Sequence, residues 1–215
     1  MKPFLRRPAA LWSLFAVLFA LQTVQPTTRA QAGTDLLTRV QQTYSNAGSF
    51  QADFTQSIDG TSGSERVDGT LRVSGDRFSV SAGGQRFVTD GVTTWLHNEA
   101  TNQVIINDFS SGETVFAPSR FLTDASSKYR VVSSTDAGSG QTDLLLRPTD
   151  ASEFFDKVTL RVRRSDATVM SIELSDLNGT TMRYTLRNVR MGSRQGADAF
   201  RFTPPRGAEV VDLRS

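Results

Sequence analysis

Apolar and polar residues alternate with period two along most of this chain. Phe50, Ala52 and Phe54 alternate with Gln51, Asp53 and Thr55, and Val158, Leu160 and Val162 alternate with Thr159, Arg161 and Arg163. Met170, Ile172 and Leu174, then Met182, Tyr184 and Leu186, repeat the pattern on either side of Asn178-Gly179, a strong short-range hairpin signal. Further runs carry Leu71 and Val73, Phe78 and Val80 after a Gly75-Asp76 turn, and Val104 and Ile106. The pattern predicts about eleven strands, mostly joined by short Gly, Ser, Asp or Asn turns, each buried on one face. A sheet of consecutive hairpins with one apolar face must curl that face inward. Helical spacing is confined to few places. Thr34 is placed to cap a helix, Asp35 suits its first turn, and Leu36, Leu37, Val40 and Tyr44 share one face before Gly48. A second helical stretch, Glu113 to Ala125, clusters Val115, Phe116, Phe121 and Leu122 but contains Pro118, which breaks or bends it. Ser152 to Phe155 is read as one further turn. The fold class is therefore mainly β (α+β), with few helices free to cover an open side.

The first residues read differently. Lys2, Arg6 and Arg7 precede an apolar run from Ala9 to Leu21, and a polar stretch ends in Ala30-Gln31-Ala32. This is the three-part pattern of a secretory signal peptide, and the apolar run falls short of the roughly 20 residues that span a bilayer. Residues 1–32 are expected to be cleaved and residues 33–215 to form one domain, in a periplasm or an extracellular space. The leader changes the charge picture. The whole chain carries 24 Lys+Arg against 22 Asp+Glu, but Lys2, Arg6, Arg7 and Arg29 belong to the leader, so the mature chain is slightly acidic. It has no electrostatic footprint for nucleic acid.

Composition excludes much chemistry. There is no cysteine and one histidine, which removes disulfide scaffolds, thiol catalysis, iron–sulfur clusters, multi-histidine metal sites and a lipidated cysteine. No metal and no cofactor are expected. No Gly-x-Ser-x-Gly, P-loop, dinucleotide or His-Glu-x-x-His motif occurs. His97, at a strand end just after Trp95, reads as a rim or turn histidine. No pair of acids is singled out by spacing as a glycosidase pair would be. What remains is apolar surface: 14 phenylalanines, three of them in the leader. They fill a core or line a hydrophobic pocket for a lipid chain.

Several segments in order then match a known pattern. They are Ser49-Phe50-Gln51-Ala52-Asp53-Phe54-Thr55-Gln56, Gly69-Thr70-Leu71, Asp90-Gly91 followed by Trp95, and Phe200-Arg201-Phe202-Thr203-Pro204-Pro205-Arg206-Gly207 followed by Val210 and Asp212. Over residues 34–212 the chain resembles the periplasmic outer-membrane lipoprotein carrier family (LolA-type). The resemblance implies an unclosed antiparallel β-barrel of about eleven strands, with a short α-helical lid over an apolar cavity that takes the acyl chains of lipoproteins. It implies a periplasmic monomer with no enzymatic activity. It implies two partners besides lipoprotein cargo: an inner-membrane lipoprotein-releasing ABC transporter as donor and an outer-membrane acceptor. Family members carry an Arg-Pro pair after the Gly-x-Leu strand, whose arginine helps hold the lid shut. Here the strand runs Leu71-Arg72-Val73-Ser74-Gly75-Asp76-Arg77-Phe78 without that pair, leaving Arg72 and Arg77 as substitutes and Phe78 as the aromatic beyond it.

Strand parity and the resemblance together give an expected acyl-cavity lining of Phe50, Phe54, Leu71, Val73, Phe78, Val80, Phe87, Trp95, Val104 and Ile106, with Phe116, Phe121 and Leu122 on the lid. The alternatives are a carrier of the same fold for a glycolipid or pigment-type lipid, a lipid- or glycan-acting enzyme, and a purely structural envelope protein.

Overall fold

The computed structural model describes residues 26–60, 63–109, 122–123, 125–150 and 153–214. The elements are α1 (Pro26–Ala47), β1 (Ser49–Gly60), β2 (Gly63–Ser74), β3 (Arg77–Ala82), β4 (Gln85–Thr89), β5 (Thr93–Asn98), β6 (Gln103–Asp108), α2 (Ala125–Lys128), β7 (Tyr129–Gly138), β8 (Gln141–Pro148), β9 (Phe155–Arg163), β10 (Thr168–Asp176), β11 (Thr181–Met191) and β12 (Glu209–Asp212). A 3-10 turn, Ala197–Phe200, precedes β12. The twelve described strands form one unclosed sheet in the order β12-β6-β5-β4-β3-β2-β1-β11-β10-β9-β8-β7. Every pairing is antiparallel except that of β12 with β6. The fold is therefore the expected open, mainly β architecture, with the four-residue C-terminal strand added at one edge.

The hairpin expected at Asn178-Gly179 is present but longer than a two-residue turn. β10 ends at Asp176, whose Oδ1 accepts from the amides of Asn178 (2.9 Å) and Thr180 (2.8 Å), and Gly179 takes φ +84°. The aspartate captures the turn amides, so the ladder resumes only at Thr181. Phe155 opens β9 instead of closing a helical turn.

Helix α1 is already formed at Pro26, where the described residues begin, so Thr34 lies within it and not at its start. Thr34 is interior, its Oγ1 donating to the Ala30 carbonyl (3.0 Å), so it caps nothing. Gly48 ends the helix with φ +64°. Leu36, Leu37, Val40 and Tyr44 are buried as the spacing predicts. Gly33 allows the close approach of α1 to β7, since a Cβ there would sit 2.9 Å from Val131 Cγ1 and 3.0 Å from Ser134 Cβ. The Tyr44 ring meets Phe50 edge-on at 5.1 Å, and its hydroxyl accepts from the Val169 amide at 3.2 Å. Beneath α1 lie Leu144, Leu146, Val158, Leu160, Val162, Ile172 and Leu174 from β8, β9 and β10, all fully buried. The face of the sheet that α1 covers is called the inner face below.

Candidate functional site: an apolar hollow on the inner face

α1 packs mainly against β7, with smaller contacts to β1 and β10. It makes no comparable packing against β2 to β5, so much of the inner face there is not under the helix. There the register aligns Leu71, Val80, Phe87, Leu96 and Ile105 in one row across β2 to β6. Val80, Phe87 and Leu96 are only half-buried. They wall a hollow of about 330 Å³ lined by Gln56, Glu65, Val67, Phe78, Val80, Ala82, Gly83, Gln85, Phe87 and Leu96. A second hollow of about 100 Å³ adjoins it, lined by Phe54, Gln56, Leu71, Val80, Ala82, Tyr184 and Leu186. Gln56, Val80 and Ala82 belong to both walls, so the two form a continuous trough. The larger hollow lies within the range of about 300–1,000 Å³ usual for ligand sites.

Aromatic packing fixes the walls. Phe78 and Phe87 stack nearly parallel with centroids 5.2 Å apart, and Phe109 meets Phe78 at 6.5 Å. At the floor, Gln56 Nε2 donates to Tyr184 Oη (2.8 Å), so this polar pair is satisfied within an apolar setting. Burial pushes the Tyr184 hydroxyl up to about 12. Gly69 lies opposite Phe54 across the β1–β2 ladder, and the Phe54 ring occupies the space a Cβ would need. The phenylalanine can therefore lie flat against the sheet and leave the smaller hollow open beside it.

The expected lining residues divide three ways. Phe54, Leu71, Phe78, Val80 and Phe87 meet at the trough. Phe50 and Val73 share the inner face but are buried in the core. Trp95, Val104 and Ile106 face the other way, which corrects the expectation for them. Trp95 pairs with Val88 and Ile106, and Val104 with His97, one residue out of phase with the row through Phe87 and Leu96. A one-residue difference in phase reverses the face. These residues join a second apolar cluster with Val88 on the outer face, where the C-terminal segment packs: Phe200 is 1% exposed, and Phe202 lies 5.5 Å from the His97 ring. His97 is correspondingly buried, not at a rim. Leu122 is fully buried in the main core, while Phe116 and Phe121 lie outside the described residues.

Neither arginine considered as a substitute for the missing Arg-Pro pair reaches the trough. Arg72 pairs with Gln51 and Ser79 on the outer face, and Arg77 places its guanidinium 5.2 Å from the Phe200 ring. Sequence reasoning missed Gln56, Glu65, Val67, Ala82, Gly83, Gln85, Leu96, Tyr184 and Leu186. Leu96 and Tyr184 were legible in principle, because cross-strand parity places them with Phe87 and Phe54.

Among the described residues, the structure is an open, almost wholly antiparallel sheet with α1 on its inner face and an apolar trough on that same face beyond the helix. The model of the family described as Outer membrane lipoprotein carrier protein LolA matches residues 45–203, and the chain belongs to that family. It is 29% identical over 190 residues to a protein of Hahella chejuensis named outer-membrane lipoprotein carrier protein, covering 84% of this chain and 88% of that one. It is 27% identical over 210 residues to a Yersinia pestis protein of the same name, covering 94% and 98%. Among solved structures, an uncharacterised conserved protein from Thermus thermophilus superposes with a TM-score of 0.56 at 15% identity, over 85% of this chain and 99% of the other, a likeness of fold alone.

Proposed function

We propose that this protein is a periplasmic carrier that binds the acyl chains of lipoproteins released from the inner membrane and ferries them to the outer membrane. One observation carries the reading: the inner face of β2 to β5 keeps an apolar wall that α1 leaves uncovered, in a chain that belongs to the lipoprotein carrier family. Burying acyl chain yields about 0.8 kcal/mol per CH₂, so exposing one long chain to water costs on the order of 10 kcal/mol. A soluble trough of apolar side chains offsets that cost and lets a lipid-modified protein cross an aqueous space. Phe54, Leu71, Phe78, Val80 and Phe87 make the chain contacts in this reading.

Residues 1–32 direct export and are removed. Cleavage after Ala32 takes about two turns from α1 and leaves its buried face, Leu36 to Tyr44, in place. The protein works by binding and release and not as an enzyme. Loading is driven by an inner-membrane lipoprotein-releasing ABC transporter. Unloading needs a receiver with higher affinity for the same chains, since a ligand moves only down its gradient of affinity. The test is release: the mature protein added to bacterial spheroplasts should move newly made outer-membrane lipoprotein into the soluble fraction. Lipoprotein that stays on the spheroplasts at every concentration added would overturn the reading.

A further inference from the structure

We propose that the trough selects acyl chains by the charge of their head, accepting neutral or cationic heads and disfavouring a free carboxylate, with Glu65 as the discriminating residue. This rests on the carrier reading and specifies its ligand. The larger hollow is apolar at the Phe78, Phe87 and Leu96 end and polar at the other, where Gln56, Glu65 and Gln85 line it. Glu65 is the single charged side chain among its lining residues, and no described ion pair engages it. A second carboxylate stands at the same end: Glu99 Oε2 lies 4.0 Å from where a Cβ on Gly84 would sit, next to the lining residue Gly83.

The basic residues flanking these positions face away. Arg66 pairs with Ser57, and Arg86 pairs with Ser81 and His97, all out of phase with the trough. Arg86 instead places its guanidinium 5.6 Å from the Phe202 ring on the outer face. A chain laid along Phe78 and Phe87 therefore ends its head among two glutamines and a carboxylate, with no cation lining the hollow to receive an anion. The Gln56 amide donates to Tyr184, which leaves its carbonyl oxygen as an acceptor for an amide N–H on the ligand. Repulsion of this kind is how a site rejects a competitor that its apolar wall cannot distinguish.

The test is displacement of the neutral probe N-phenyl-1-naphthylamine by three twelve-carbon ligands: dodecanoate, N-methyldodecanamide and dodecylammonium. At pH 8 and low salt the wild-type protein should bind dodecanoate about two- to five-fold more weakly than the amide, the size of a single exposed charge interaction. Glu65→Gln should close most of that gap, and Glu65→Lys should reverse it. About 1 M salt should also narrow it, since the screening length falls to about 3 Å. Glu65 is exposed on β2, so both variants should fold. An unchanged dodecanoate-to-amide ratio in both variants, or equal binding of all three ligands by the wild type, would overturn the selection alone. Failure of every ligand to displace the probe would overturn the carrier reading and the selection with it.

Discussion

Replacing Gly69 with alanine tests how the trough is kept open. Gly69 faces Phe54 on β1 and Ala82 on β3. A Cβ at Gly69 would sit 2.6 Å from the Ser81 carbonyl oxygen and 2.8 Å from Phe54 Cε1, and closer still to Phe54 Cζ. Real Cβ atoms do not approach that closely, so something must move. The Ser81 carbonyl belongs to the β3 backbone, whereas the Phe54 ring has the 100 Å³ hollow beside it. Ring displacement into the hollow is the easier response, and it fills part of the trough. Overpacking of this kind costs about 1–3 kcal/mol. For a domain of this size each kcal/mol shifts Tm by about 2–4 °C, so Gly69→Ala should melt some 2–12 °C lower and bind acyl ligand more weakly. Phe54→Leu in the same chain should restore part of the stability, not all, because the carbonyl clash persists. Urea denaturation and acyl-probe binding on the single and double variants would decide it. A Gly69→Ala protein as stable as wild type, with unchanged probe affinity, would refute the packing argument.

Phe87→Glu should lower acyl-probe affinity about fivefold or more while the protein stays folded, because a half-buried wall position would then set a carboxylate against the chain, at about 1–3 kcal/mol; titration with a fluorescent acyl probe reads it. Leu160→Ala, at a fully buried position, should cost about 2–5 kcal/mol in chemical denaturation. Tyr44 predicts alkaline sensitivity. Burial holds its hydroxyl up at about 12, against 10.0 in the unfolded chain, so its contribution is fully present below pH 10 and lost as pH rises from 10 through 12. Tyr129 and Tyr184 are pushed up to about 12 in the same way, so Tyr44→Phe should lessen the loss of stability across that window without abolishing it, as followed by circular dichroism. The bidentate Arg161–Asp143 pair, at 2.8 Å on an exposed face, should matter little: Asp143→Asn should change stability by less than about 1 kcal/mol.

The architecture was readable because local patterns agree with one another. Period-two runs, glycine and aspartate turns and one amphipathic helix specify an open antiparallel sheet with α1 on one face. Facing was readable only where one side of a strand is polar, as in β9, whose Val158, Leu160 and Val162 are buried opposite Thr159, Arg161 and Arg163. In β4 to β6 both sides are apolar. Phe87, Leu96 and Ile105 face inward, while Val88, Trp95, Val104 and Ile106 face a second cluster under Phe200. Alternation separates those two sets but does not say which one faces α1. Strand parity with the family resemblance points to Trp95, and the register, set by the pairing of β4 with β3, places Leu96 there instead. Thr34 failed as a cap for a comparable reason: helical structure continues upstream, and the hydroxyl bonds back to Ala30. The polar trough residues Gln56 and Glu65 stayed hidden because a periodic reading assigns polar side chains to solvent.

The central claim is that the trough carries the acyl chains of lipoproteins. Native mass spectrometry of the mature protein, purified from periplasm without detergent, tests it most directly. The account predicts a co-purified triacylated lipoprotein in the wild type that is absent from Phe87→Glu. A protein that emerges empty and refuses added lipoprotein, or one that holds only a non-protein lipid, would contradict it.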